Sequence, residues 1–470
     1  MKVLFILPFH DDWNRLETTW TPMAAPSSAA LLRERGHEAA IFDRFSYLRR
    51  TGFDEQAVDE AMTEKIRSFA PDLIICETVP ESIWDTVGCA KLVKRKWDGL
   101  AAAMGPHGSA LPRETLERIP ELDAVIEGEP EIPIGMLADG VPTEAIPGLW
   151  TRSGGTPARP VTCDLNALPF PAFVLLDLSF YTRRSLRTVR GHYLSTLTLM
   201  TSRGCTGRCF FCSESLELGA GLRFRSVDRS VEDVQWAIID FGVEGIYFRD
   251  CDFLADKERG EKICEAFIQR GINRKIKWAV QVRSDHVDSE TASLMKRAGC
   301  VFAELGVEGV RQEELDTLGK GIKTEDSARA LQIFRNAGIK THAYLLGCLP
   351  GERLEHLEEK LDWVRRVKPD SFFIGRLRVY PGTALYARLG DSFFEDQPWE
   401  RHLVDAYFRR CFSDVPEEKR RKWFRSVYNP VRFKGHLSLV VRSNGPLRFA
   451  MAAWQYLQHK SNMPVLSRDK

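Results

Sequence analysis

Met200-Thr-Ser-Arg-Gly-Cys-Thr-Gly-Arg-Cys-Phe-Phe-Cys212 puts three cysteines, Cys205, Cys209 and Cys212, on one short loop, with three and then two residues between them. Cysteine thiolates hold iron–sulfur clusters, ordinarily four to a cluster, and this run supplies three. A cube with three protein ligands keeps one metal position open to a small molecule. The run Ser195–Met200 before it reads as a strand. Gly204 and Gly207 allow tight turns, and Phe210 and Phe211 stand where they would shield the loop from water. A zinc knuckle is the competing reading. Zinc sites show paired Cys-x2-Cys units or His at ligand spacing, and no His lies within ten residues after Cys212.

The chain around this loop has 470 residues, 44% of them hydrophobic, and a net charge of +1. That length suits two or three domains, and the charge balance argues against a nucleic-acid coat. Eleven cysteines without a signal-peptide pattern point to a reducing compartment, so a cytoplasmic protein is expected. No apolar run reaches the roughly 18 residues that span a bilayer.

Residues 1–140 alternate apolar strands (Lys2–Leu7, Glu38–Phe42, Asp72–Cys76, Gly99–Met104, Asp123–Glu127) with helical segments. This order predicts a doubly wound, Rossmann-like parallel sheet, with any ligand beyond the carboxyl ends of the strands. No Gly-x-Gly-x-x-Gly follows the first strand, which makes a dinucleotide reading weak. Gly105-Pro-His107-Gly108 follows the fourth strand and Glu127-Gly128-Glu-Pro-Glu131 the fifth. Residues 141–192, rich in Pro and Gly, read as a linker. From 193 to 385 six more strands alternate with helices: Ser195–Met200, Gly245–Phe248, Ile276–Gln281, Val301–Leu305, Lys340–Leu346 and Ser371–Leu377. Six units predict a partial α/β barrel with its active residues at the carboxyl strand ends. Asp250 and Asp252 follow the second strand, where a carboxylate suits an amine. Arg283 follows the third, where a guanidinium suits a carboxylate. Glu308 follows the fourth. Cys251 and Cys348 also fall at strand ends, and the favoured reading for both is a small buried hydrophobe.

The Cys-x3-Cys-x2-Cys run resembles the signature of the radical S-adenosylmethionine (SAM) enzymes. Val280-Gln-Val-Arg-Ser-Asp285, Glu304-Leu-Gly-Val-Glu-Gly309, Gly347-Cys-Leu-Pro-Gly-Glu352 and Pro381-Gly-Thr383 resemble further stretches of that family in order. The N-terminal element order and its two glycine turns resemble the cobalamin-binding domain of one large subgroup. The resemblance implies a [4Fe-4S] cluster on Cys205, Cys209 and Cys212, and SAM bound with help from Asp250, Asp252, Arg283 and Glu308. It implies cobalamin against Gly105, His107 and Gly128. The cobalt-ligating Asp-x-His-x-x-Gly pattern is absent, and Gly309 replaces a family Ser.

The activity implied is methylation of an unactivated carbon in a small-molecule or natural-product substrate, with an electron donor such as flavodoxin or ferredoxin and no nucleic acid. A radical SAM cyclase, dehydratase or rearrangement enzyme without methyl transfer is the alternative, and a non-catalytic metal-binding protein is the rival of another class. Residues 386–470 read as a basic helical region. Residues 401–470 hold 15 Lys and Arg against 5 Asp and Glu, a local +10 that leaves −9 for the rest. A cap over the barrel that shapes the substrate pocket is favoured there over contact with an anionic membrane.

Overall fold

The computed structural model describes residues 1–9, 20–156, 161–219, 221–349, 351–390, 399 and 416–461. The first sheet contains β1 (Lys2–Leu7), β2 (Glu38–Asp43), β3 (Leu73–Glu77), β4 (Leu100–Met104), β5 (Ala124–Ile126), β6 (Leu149–Thr151) and β7 (Gly154–Gly155). Its order is β2-β1-β3-β4-β5-β6-β7. The first five strands are parallel, and their apolar runs are buried on both faces, as helices on both sides require. The order reverses between β1 and β3, which is the expected doubly wound switch point.

The predicted linker needs one correction. β6 and β7, taken from within 141–192, pair antiparallel and extend the first sheet. β5 would otherwise expose a row of unpaired backbone groups. Trp150 also donates to Glu127 at 2.7 Å. The connector therefore begins after Gly155. Residues 157–160, including Pro157 and Pro160, lie outside the described residues, as do His10 and Cys411.

The second sheet follows the cysteine run. β8 (Thr196–Leu199) leads into a small antiparallel pair, β9 (Ser202–Arg203) with β10 (Arg223–Phe224). Then come β11 (Gly245–Phe248), β12 (Lys277–Val282), β13 (Cys300–Glu308), β14 (Lys340–Gly347) and β15 (Ser371–Arg376). These six long strands are parallel and lie in strict sequence order from β8 to β15. Each predicted strand is present to within three residues at either end. Alternation sorts the side chains: Phe248, Val280, Leu305 and Leu345 pack outward against helices, in one core with Phe253, Ile263 and Phe267. Tyr247, Ala279 and Phe302 point the other way, into the lumen.

The C-terminal region is helical where it is described. Helix Glu417–Trp423, a π turn at Phe424–Tyr428 and helix Asn429–Ser443 run along the outer edge of β15, and helix Pro446–Ser461 follows. The Tyr428 hydroxyl accepts from Ile374 N at 3.1 Å, so a side chain satisfies a donor of the free edge strand. Leu439 is fully buried with Val189, Leu194, Tyr247, Ala279 and Phe302. Asn444 accepts from Tyr193 N at 2.9 Å and donates to Gly191 O at 2.7 Å. Arg448 donates to Glu244, the residue before β11, at 2.8 Å. This region closes the edge and the amino-terminal base of the barrel. Tyr386 and Leu389, ahead of these helices, instead pack in one cluster with Phe210 and Phe211 of the cysteine loop.

Candidate functional site

The cysteine loop leaves β8 at its carboxyl end and is pinned where it starts. Asp250, just after β11, is fully buried. It accepts from Thr201 N and Oγ1 at 2.8 Å each, and from Ser202 N and Oγ at 2.5 and 2.9 Å. Four donors on one carboxylate fix the strand exit. Asp250 therefore holds the loop and is not available to SAM, which corrects the expectation for this residue. Arg259 donates to Thr201 O and Arg225 O at 2.8 and 2.9 Å and ties down the same corner. Gly204 has φ +86°, and a Cβ there would stand 1.9 Å from Gly221 O, so only glycine fits.

Beyond the turn, Phe210 N donates to Leu318 O at 3.0 Å. Phe210 and Phe211 pack on Leu318, Leu349, Leu377, Val379 and Leu385, so the expected apolar shield is present. Cys205 and Cys209 flank Gly207. A Cβ on Gly207 would lie 3.3 Å from Cys205 Sγ, 3.8 Å from Cys209 Sγ and 3.7 Å from Arg283 Nη1. The loop thus leaves a cradle between sulfurs that a side chain would fill. Among the described residues no three Cys, His, Asp or Glu side chains converge as ligands of one metal ion. A cube takes each thiolate on a separate iron, and three thiols on one loop suit it. The donor set fits the cluster.

The electrostatics follow from burial and two cations. The Cys205 thiol is lowered to about 6, first by the hydrogen bond from the Cys251 thiol, with help from the Gly207 amide and Arg283. Burial raises Cys209, against the pull of Lys320 and Arg283, and pushes Cys212 up to about 12. These protons leave when the thiols bind metal.

Arg283, at the end of β12, reaches the cysteine loop, held by Asp285 at 3.1 Å through both Nε and Nη2. Glu308, at the end of β13, has φ +61° and pairs with Lys320 Nζ at 3.3 Å. Burial works against the charge on Lys320, but Glu308 and Cys209 raise its pKa overall. Asp252 follows β11 in the turn that faces Arg283. It is buried and accepts from Leu254 N, Arg283 N and His286 Nδ1 at 3.2, 3.1 and 2.5 Å. It positions the backbone that carries Arg283.

The structure adds two residues to the site. Lys320 lies in Gly319-Lys-Gly321 between two helices, and only those paired glycines, both at positive φ, signal a loop built to approach something closely. Cys251 stands against Cys205 and is half-buried, unlike Cys348, which is buried in the core.

Below the loop the lumen is polar and closed. Glu304 accepts from Tyr247 Oη at 2.9 Å, Tyr344 Oη at 3.1 Å and Arg190 Nε at 3.3 Å. Gln281 donates to Tyr247 at 2.8 Å. Burial, then the Glu304 charge, raises both tyrosines, so they remain hydroxyl donors.

The first sheet turns its carboxyl ends toward this site. Gly105 has φ +108°, and a Cβ there would meet Thr78 O at 2.7 Å. Gly128, φ +87°, donates its amide to Ser109 Oγ at 3.0 Å. His107 is 1% exposed, with its ring edge-on to Trp399 at 4.9 Å. Glu129 and Glu131, after β5, pair across the domains. Glu131 meets Arg203 at 2.6 Å and Glu129 meets Arg223 at 2.7 Å. Arg203 stands two residues before Cys205. Glu81, after β3, accepts from Arg378 and Tyr380 at 2.8 and 2.6 Å.

Residues 199–364 match the radical SAM superfamily. An uncharacterized methyltransferase of Pyrococcus horikoshii is 27% identical over 416 residues, 86% of each chain. The anaerobic magnesium-protoporphyrin IX monomethyl ester cyclase of Rubrivivax gelatinosus is 24% identical over 410 residues, 83% of this chain and 70% of its own. Among solved structures, the radical SAM methyltransferase TsrM from Kitasatospora setae, with cobalamin and a [4Fe-4S] cluster bound, superposes with a TM-score of 0.66 at 19% identity, over 83% of this chain and 78% of that one. That last likeness is one of fold. Loop chemistry, strand order and sequence similarity agree on a radical SAM domain over residues 199–364, and the fold, with a Rossmann-type domain ahead of the partial barrel, is like that of the solved TsrM structure.

Proposed function

We propose that this chain is a cobalamin-dependent radical SAM enzyme that methylates an unactivated carbon of a small-molecule or natural-product substrate. The observation that carries the reading is the meeting of two carboxyl ends. Glu129 and Glu131, on the turn after β5, hold Arg223 and Arg203 beside the cysteine loop. A group resting on the first sheet would then face one resting on the barrel. When bound, the cluster supplies the electron that cleaves SAM to a 5′-deoxyadenosyl radical, and cobalamin carries the methyl group.

The chain's own residues have separable tasks in this reading. Cys205, Cys209 and Cys212 hold the cluster and leave one position open. Arg283 and Lys320 bring positive charge to the cradle, where a carboxylate of SAM would be held, and Glu308 presents an acceptor. Phe210 and Phe211 keep water off the loop, which protects reactive species from side reactions. The network around Glu304 closes the floor of the lumen with its polar groups paired, a rigid wall for a substrate. Gly105 and Gly128 let backbone approach a corrin closely, without a ligand from His107. Electrons come from a small carrier such as flavodoxin or ferredoxin. Among the described residues no helix is long and apolar enough to cross a membrane.

Anaerobic purification with hydroxocobalamin tests the proposal. The expected result is about four irons and a corrin spectrum with about one cobalt per chain. A cluster without corrin would overturn methyl transfer and favour the cyclase reading, which the Rubrivivax relative supports. A preparation that binds neither iron nor SAM would leave the non-catalytic reading.

A further inference from the structure

The C-terminal helices close the base of the barrel with one face and leave another uncovered. Phe433, Leu437 and Val441 recur every fourth residue along Asn429–Ser443, so they stack as one stripe. They are exposed, Phe433 by 67%, while Leu439 and Val440 on the inner side are buried. Leu447, Met451 and Trp454 form a second stripe on Pro446–Ser461, with Leu447 exposed by 75% and Trp454 by 65%. These six make up half of the twelve exposed large apolar side chains among the described residues. The same stretch is one-sided in charge: residues 419–461 contain ten Lys and Arg and no Asp or Glu, and of these Arg442 and Arg448 pair with Asp370 and Glu244 of the barrel.

Apolar stripes and an excess of cations together select the occupant. A second copy docked about a two-fold axis would set this basic patch against itself, and like charges at close range repel. A nucleic acid would satisfy the cations but give Leu, Val and Met side chains nothing apolar to enter. An anionic lipid surface meets both requirements. Aromatic and aliphatic side chains enter the headgroup boundary, and Lys and Arg draw the helices to acidic headgroups.

We propose that the helices Asn429–Ser443 and Pro446–Ser461 dock the protein onto an anionic membrane, lying in its interface. The docking face is on the base and edge of the barrel. The cysteine loop and the junction of the two domains open at the other end, so a docked molecule keeps its site clear of the lipid.

Flotation of the full chain with vesicles tests this. Vesicles of equal phosphatidylcholine and phosphatidylglycerol are expected to carry the protein up the gradient, and pure phosphatidylcholine vesicles are not. Raising salt to about 0.5 M weakens the binding, because exposed charges are screened. Phe433→Ser with Leu437→Ser, and separately Leu447→Ser with Trp454→Ser, each lower the bound fraction about tenfold. All four residues are solvent-facing, so an unchanged melting curve confirms that the fold is intact. Absence of flotation on the anionic vesicles would overturn the proposal, and so would flotation unchanged in both double variants. A concentration-dependent dimer lost in the same variants would also overturn it, assigning the face to a second copy.

Discussion

At the amino ends of its strands the barrel is filled with apolar side chains: Leu439 from a C-terminal helix enters among Val189, Tyr247, Ala279 and Phe302 and is fully buried. At the carboxyl ends of the same strands stand thiols, Arg283, Lys320 and a glutamate. There the backbone also takes the left-handed conformation at two non-glycine residues, Glu308 and Cys348. Such positions cost about 1–3 kcal/mol each and persist where surrounding structure over-determines them. One end of a sheet carries the packing that holds it closed, and the other carries strain and buried charge. The division teaches that substitutions at the two ends should fail in different ways, and that loss of stability and loss of chemistry can be separated.

The sharpest way to break the comparison is at the cysteines. Cys205→Ala removes one of three ligands. Bound iron should fall to background, and 5′-deoxyadenosine formation should drop at least about a thousandfold, with the melting temperature of the apoprotein hardly changed. A variant that kept an intact cluster would sink the site assignment. At the other end, Leu439→Ala should cost about 3 kcal/mol through the cavity it leaves, measured by denaturant unfolding. Iron content and SAM binding should stay at wild-type levels below the transition. Equal loss of both would mean that the ends are not independent.

Asp250→Asn tests a residue that belongs to both. Its carboxylate accepts from four donors. An amide turned toward them leaves at least one buried donor unpaired, at a cost of about 2 kcal/mol. The cysteine loop should loosen, with iron retention falling several-fold after desalting. If retention were untouched, Asp250 would be a fold residue only.

Much of this was legible in the sequence, and the boundary is informative. The six barrel strands are recoverable because burial on both faces makes each an apolar run, with turn residues at its ends. The cysteine loop is legible because its three ligands are local. Asp250 is hard to place for the opposite reason. The donors that occupy Asp250 sit 48 and 49 residues away, and strand-end position alone cannot say whether a carboxylate faces the cradle or the core. Lys320 was missed because its partner Glu308 is reached across the sheet top and no periodicity marks it. The strands inside the supposed linker were hidden by Gly154 and Gly155, which read as loop. The basic C-terminal region was correctly helical, but nothing in its pattern says which end of the barrel it meets.

The smallest expected effect concerns protons at the closed end. His192, in the segment under the barrel beside Gly191 and Tyr193, is buried, and burial lowers its pKa to about 4 from an ordinary 6.5. Between those values the unfolded chain holds a proton that the folded chain refuses. Stability is therefore fully present above pH 6.5 and is lost progressively as pH falls toward 4. From pH 6.5 to 5 the loss is about 2 kcal/mol. His342, in the lumen, is lowered well below 6.5 by burial and the charges of Arg190 and Arg432, so it adds to the same slope. His192→Asn should flatten the fall in melting temperature over that range while leaving the contribution of His342. An unchanged slope would place the pH dependence elsewhere, and a steeper one would mean that His192 is charged in the fold. Because this titration belongs to the filled end, the spectrum of the cluster should not follow it.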